Sequence, residues 1–375
     1  MKIGLITIHK IFNYGSALQT YALQTKINEI TGKNSCKIID YKYPDVIHIT
    51  DKNDSSLKRF IKIVFFHIKN IIRGIIFFRR NAKFYTFWKK YYSLTEKCTK
   101  KNISEITQDF DELISGSDQI WNPRFVHGDT SFFLDFANEN QKCISFASAI
   151  GQENIPQEQK ELFKKQLSKY SKIGIRDTSV RNELINLLNK NVTTVCDPTL
   201  LLSDAEWNCL ADMSKHKKKS GYILLYILKY SFNPWPKTNE LIDSVRKKYK
   251  LPVFTVYSDL LQNLIHHYKT INGVSIEDFL CLIRNASFVI TTSFHGTCFS
   301  LIYKKDFYTI IPDKQKKDSR VYDLLNSVGL ENRAVGISRI HNTDICKIDW
   351  NDKKICLTDY INDSLLFLKH AVLGD

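Results

Sequence analysis

The chain has 375 residues, 43% of them hydrophobic and 25% charged, with a formal net charge of +15. That length suits two domains or one large α/β domain, and sparse Gly and Pro exclude collagen-like and low-complexity classes. Nine scattered cysteines, with no CxxC pair, exclude a thiolate metal centre of familiar spacing and read as reduced thiols.

In chain order, Lys2 to Ile8 predicts a buried first strand rather than a signal peptide. The loop His9 to Tyr14 follows, then a helix from about Ser16 to Ile30 with Ser16 as a candidate N-cap. Lys37 to Tyr41 predicts a second strand. Strand, polar loop, helix and strand in that order mark a Rossmann-like unit. A basic, aromatic stretch interrupts it at about 57–92. No Asp or Glu lies between Asp54 and Glu96, while Lys62, Lys69, Arg73, Arg80 and Lys83 space out near one helical face. Two readings stay open for that insert. One is a helix lying in an anionic membrane interface; the other is a helical hairpin packing Phe65, Phe66, Phe77, Phe78, Phe84, Phe87 and Trp88 on the first domain with a solvated basic face. No apolar run there reaches the ~20 residues of a membrane span.

Further strands are expected at Glu112 to Ile114, Cys143 to Ser148, Lys172 to Ile175 and Val192 to Val195. The lysine-rich Lys215 to Ser220 marks a boundary. Strands at Tyr222 to Leu228, Val253 to Tyr257, Phe288 to Ile290 and Phe307 to Ile311 then alternate with helices. We expect an N-terminal Rossmann-like domain over 1–205 and a second over 220–345. The segment 346–375 would carry a helix packing back on the first. Two such halves put a ligand between them, at the carboxyl ends of the strands.

The chemistry concentrates at strand ends. Ser293-Phe294-His295-Gly296-Thr297 reads as a strand, a tight turn and a helix start. Free N–H groups there suit an anion, Gly296 would let a ligand approach the backbone, and His295 can move a proton near neutral pH. The tip Asn13-Tyr14-Gly15-Ser16 is either a substrate contact or an ordinary βα turn. Ser117, Asp118, Gln119, Trp121 and Asn122 offer carboxylate, amides and an aromatic face to a sugar. The plainer alternative, that Trp121 is core and Asp118 a cap, comes second to it. Arg176 follows a buried-looking strand and fits a carboxylate or phosphate, or else pairs with Asp177 or Asp197. Asp197-Pro198 reads as a structural turn.

Together, GLITIHKIFNYGSALQTYALQ, LISGSDQIWNP, IGIRD with VCDPTLLL, and VITTSFHGTCFSLIYKKDF resemble the polysaccharide pyruvyl transferase family, over nearly the whole chain. The resemblance implies two Rossmann-like domains facing across a cleft, as in GT-B-like enzymes. It implies transfer of pyruvate from phosphoenolpyruvate to a sugar of a surface polysaccharide or its lipid-linked precursor, forming a cyclic ketal. It makes His295 the active-site histidine and Arg176 an arginine near the donor, with no cofactor and no metal. Ser293 stands where some relatives carry an arginine, so Arg320, Lys304 or Lys305 would supply the charge. The donor side is then expected to draw on Arg176, Ser293, Gly296, Thr297 and Arg320. The acceptor side would use Asn13, Tyr14, Gly15, Ser117, Gln119, Trp121 and Asn122, with Asp118 orienting or deprotonating a hydroxyl. The expected location is cytoplasmic, peripheral on the inner face of the membrane, with no nucleic-acid partner. Two rivals remain: a GT-B-like glycosyltransferase using a nucleotide sugar, and a non-catalytic glycan-binding protein.

Overall fold

The computed structural model describes residues 1–42, 77–126, 128–216, 220–229, 232–256, 260–313 and 320–374. Two all-parallel sheets organise them. The first has seven strands: β1 Ile3–Ile6, β2 Cys36–Tyr41, β3 Leu94–Cys98, β4 Glu112–Asp118, β5 Lys142–Ser148, β6 Tyr170–Ile175 and β7 Val192–Thr194. Their order is β3-β2-β1-β4-β5-β6-β7. The second has six: β8 Ile223–Tyr226, β9 Val253–Thr255, β10 Lys269–Thr270, β11 Phe288–Thr291, β12 Asp306–Ile311 and β13 Ala334–Gly336, in the order β10-β9-β8-β11-β12-β13. Strands of a parallel sheet covered on both faces read as continuous apolar runs. Accordingly β1, β8 and β11 are buried at every position. The edge strands β3 and β10 carry exposed polar residues, and they escape an apolar-run criterion, as does the short β13.

Seven helices bear on the site: α1 Tyr14–Thr31, α2 Phe78–Tyr91, α3 Asp204–Ala211, α4 Ile276–Asn285, α5 Phe294–Ile302, α6 Arg320–Ser327 and α7 Leu357–Leu373. Helix α1 is buried on nearly every side because it lies between the sheets. Its N-cap is Asn13, whose side chain accepts from Gly15 N at 2.8 Å and Ser16 N at 3.3 Å. That corrects the assignment of the cap to Ser16. Helix α7 returns to the first sheet: Ser364 Oγ accepts from Cys196 N at 2.8 Å, and Phe367 fills the space a side chain at Gly174 would need.

Within the insert, residues 57–76, with Lys62, Lys69 and Arg73, lie outside the described residues. In α2, Phe84, Phe87 and Trp88 are buried, and Phe12 stacks on Trp88 at 5.4 Å. Arg80 is buried against the Phe77 ring at 4.4 Å. Lys83 donates to Asp278 Oδ2 at 3.1 Å. This part of the insert is therefore a packed helix of the domain, and two of its expected membrane-facing cations are engaged within the protein. Among the described residues no helix is long and apolar enough to cross a membrane.

The halves share a core. Tyr14 stacks on Phe279 of α4 at 4.5 Å and donates to Val274 O at 2.9 Å. Trp207 of α3 meets Phe299 of α5 at 5.1 Å. Burial of apolar area on this scale is worth roughly 25 cal/mol per Å².

Candidate active site

In each sheet the strand order reverses direction at one point, between β1 and β4 in the first and between β8 and β11 in the second. Chain leaving the carboxyl ends of strands at such a point diverges and leaves a crevice. The two crevices face each other. From the first come the start of α1, Asp118 at the end of β4, and Arg176 and Asp197 beyond β6 and β7. From the second come Phe294 and His295 at the start of α5, joined by Arg320 at the start of α6.

Arg176 is the hub. Its Nη1 donates to Asp197 Oδ2 at 2.5 Å, its Nη2 lies 3.5 Å from Asp118 Oδ1, and its guanidinium covers the Phe294 ring at 4.4 Å. Its Nε finds no hydrogen-bond partner among the described residues. Arg320 approaches the same ring at 5.7 Å and Asp118 Oδ1 at 3.9 Å. Two guanidinium groups from different domains thus share one aromatic plate, while Arg176 is also paired with Asp197 and both groups approach Asp118.

His295 is 6% exposed. Its Nε2 stands 3.6 Å from Asp197 Oδ2 and finds no hydrogen-bond partner among the described residues. The other edge of the ring rests on Gly15, where a Cβ would fall 2.0 Å from Nδ1. Only glycine leaves room for the imidazole there.

Burial works against the ionised form of Asp197. The charges of His295 and Arg176 and the Thr199 N–H outweigh it, and hold the carboxyl well below the usual carboxylate range. The same contest, between burial and the charges of Arg176, His295 and Arg320, lowers Asp118. Asp118 sits at φ 69°, a left-handed conformation that Asp tolerates because its short side chain can bond locally. Here Gln119 N donates to Oδ1 at 2.9 Å and Ser16 Oγ donates to Oδ2 at 2.8 Å. Asp177 behaves in the opposite way. Burial pushes it up, although Ile150 N and Gly151 N donate to its Oδ2 at 2.6 and 2.7 Å.

The geometry brings together His295, Asp118, Arg176, Arg320, Gly15 and Gln119. It corrects several other expectations. Trp121 is fully buried, stacked on Phe133 at 5.5 Å with its Nε1 donating to Phe132 O at 3.1 Å, so it is core and offers no face to a sugar. Ser117 is fully buried within β4. Tyr14 is occupied by the domain seam. Asn122 is buried, and its carbonyl accepts from Phe125 N and Val126 N at a helix start. Asn13 and Ser293 serve as N-caps, Ser293 Oγ accepting from Gly296 N at 3.2 Å.

Gly296 does not open the backbone to a ligand: a Cβ there would meet Thr291 Oγ1 at 2.5 Å and Tyr226 Cδ1 at 3.1 Å. Thr297 is fully buried and bonded to Thr309 Oγ1 at 2.7 Å. Lys304 and Lys305 follow the far end of α5, roughly 15 Å from its first turn at 1.5 Å per residue. Arg320 is the cation that stands at the crest. Phe294 lacked a sequence signal, reading as any apolar residue beside a histidine. Ser16 lay within the candidate tip but was assigned to a helix cap. Asp197 had a visible cue, as a possible partner of Arg176.

A sequence model of the polysaccharide pyruvyl transferases matches residues 13–314. The chain belongs to the polysaccharide pyruvyl transferase family. The span that matches this family holds Asp118, Arg176 and His295, and stops short of Arg320. No curated protein matches the chain in sequence. Among solved structures, the UDP-GlcNAc 2-epimerase of Methanocaldococcus jannaschii is similar with a TM-score of 0.56, over 94% of each chain at 12% identity. The same enzyme in complex with UDP-GlcNAc and UDP gives 0.50 at the same coverage and identity. Likeness at that identity speaks for the GT-B-like fold alone, two Rossmann-like domains across a cleft.

Proposed function

We propose that this pyruvyl transferase takes phosphoenolpyruvate as donor and closes a cyclic ketal across two hydroxyls of a glycan or lipid-linked oligosaccharide. One observation carries the reading: two arginines and a histidine converge on one point with a carboxylate beside them. Phosphoenolpyruvate presents a carboxylate and a phosphate, which two guanidinium groups suit. Protonation of its methylene carbon by His295 generates a cationic centre at the carbon bearing the phosphate ester. An acceptor hydroxyl attacks that carbon while Asp118 takes its proton. The ester C–O bond then breaks and phosphate departs. A second hydroxyl closes the ring and its proton returns to His295. One hydroxyl proton thus ends on the new methyl group by way of the histidine, and the other leaves with phosphate. No cofactor or metal enters this scheme.

The test is incubation with phosphoenolpyruvate and a lipid-linked glycan, followed by mass spectrometry of the glycan and assay of phosphate. A pyruvyl-ketal mass increase with matching phosphate release is expected. Stabilisation by nucleotide sugars alone, with no phosphate released from phosphoenolpyruvate, would sink the proposal in favour of glycosyl transfer.

A further inference from the structure

Gln119 touches the cleft from the first domain but does not spend its amide on an acceptor. With its oxygen turned toward Arg320 it accepts from Nη2 at 2.9 Å and from Nη1 at 3.0 Å. The opposite orientation would set amide N–H donors against guanidinium donors. Gln119 leaves β4 and Arg320 begins α6, so the pair crosses between the domains.

What places Gln119 is visible too. Gly151 lies beneath it at φ 68°, and a Cβ there would meet the end of the Gln119 amide facing away from Arg320 at 2.2 Å and Asn122 Nδ2 at 2.8 Å. The Ile150–Gly151 backbone is held by Asp177 Oδ2 at 2.6 and 2.7 Å. Adjacent residues thus serve both cations: Arg176 enters the site directly, and Asp177 supports the loop under Gln119. We propose that Gln119 is a positioning residue, which aims Arg320 at the anionic donor and so makes the second cation available only when the two domains are together. This rests on the donor site assigned above and adds the control of its second arginine.

The test is a double-mutant cycle on the full chain with Gln119→Leu, Arg320→Leu and both. Affinity is measured separately for phosphoenolpyruvate, inorganic phosphate and UDP, together with kcat and KM for phosphoenolpyruvate. A hydrogen-bonded partner of a charged group is worth about tenfold or more in affinity. Gln119→Leu should therefore weaken anion binding about tenfold and raise KM more than it lowers kcat. It should change nothing further in the Arg320→Leu background. Gln119→Asn, one carbon too short to reach, should follow the same pattern and covers the case of a poorly folding leucine variant. An equal loss in both backgrounds, or no loss in either, overturns the proposal. A protein that binds UDP but not phosphoenolpyruvate overturns the donor reading, and the same cycle read with UDP then decides the role of Gln119. A protein that binds none of the three anions overturns both.

Discussion

The two crests of the molecule face each other but are charged differently. The first-domain crest gathers Asp118, Asp197 and Asp177 around a single arginine, and its carboxylates are held by buried N–H and O–H donors. The second-domain crest brings His295 and Arg320 with the Phe294 ring between them and the other domain, and both cations reach carboxylates across the cleft. One half is built to present acceptors of protons, and the other to present cations. On the proposed function, the anionic donor would lie between Arg176 and the second-half cations, and the acceptor hydroxyls beside Asp118 of the first half. The two crests are also coupled electrically: His295 reaches Asp197 and Arg320 reaches Asp118 across the cleft.

That contrast can be broken or sharpened in order of size. The largest effect is expected from His295→Asn, which leaves the seat on Gly15 but removes the acid. Ketal formation should fall by about 10²–10⁴-fold with little change in phosphoenolpyruvate affinity. A variant that keeps its turnover would remove the histidine from the chemistry. Next comes Arg176→Met, which leaves Asp197 and Asp118 short of a cation in a buried setting. Breaking a buried pair from one side costs about 3–5 kcal/mol, so chemical denaturation should show a loss of that order along with lost donor binding. An unchanged midpoint would mean that His295 and the N–H donors suffice for the carboxylates.

Gly15→Ala follows. Its Cβ would overlap the imidazole, and overpacking of this kind costs about 1–3 kcal/mol. Turnover should drop far more than stability, since the ring is pushed from its place. Ser293→Ala removes an N-cap and should cost about 1 kcal/mol without a specific effect on either substrate.

The smallest effect concerns acid. Asp40 is lowered to about 2, because the bonds from His9 and Lys10 outweigh burial. Its folded pKa lies below the unfolded value near 3.9, so its contribution is whole above that value. It is lost as pH falls from about 4 through 2. Asp40→Asn should flatten the acid limb of the stability curve over that window, and an unaltered limb would show that the His9–Asp40–Lys10 contact adds nothing.

Much of this was legible in sequence where the physics is local. Apolar runs ending in polar tips gave the central strands, and the motif at Ser293–Thr297 gave a histidine on a helix start. Arg176 and Asp118 were legible as charged residues directly after buried strands. What could not be read was which polar tip residues turn inward. Trp121 looked like a sugar platform because its neighbours are polar, yet three residues past the left-handed Asp118 it packs on Phe133 in the core. Gly296 looked like a gap for a ligand, but the third dimension fills that gap with Thr291 and Tyr226. Phe294 gains its role only from two arginines 118 and 26 positions away in the chain, a meeting that no local pattern encodes.

The apolar seam at Tyr14 has a consequence for how the molecule comes apart. Its ring lies flat on Phe279 while its hydroxyl is tethered to a carbonyl of the opposite half, and Trp207 on Phe299 repeats the contact farther along. A chain with two sheets would ordinarily be expected to melt in two steps. Here the lining that each half would expose is the other half's interior, so heating should give a single calorimetric transition. A nick placed between the sheets should leave two fragments that remain associated, rather than two independent proteins.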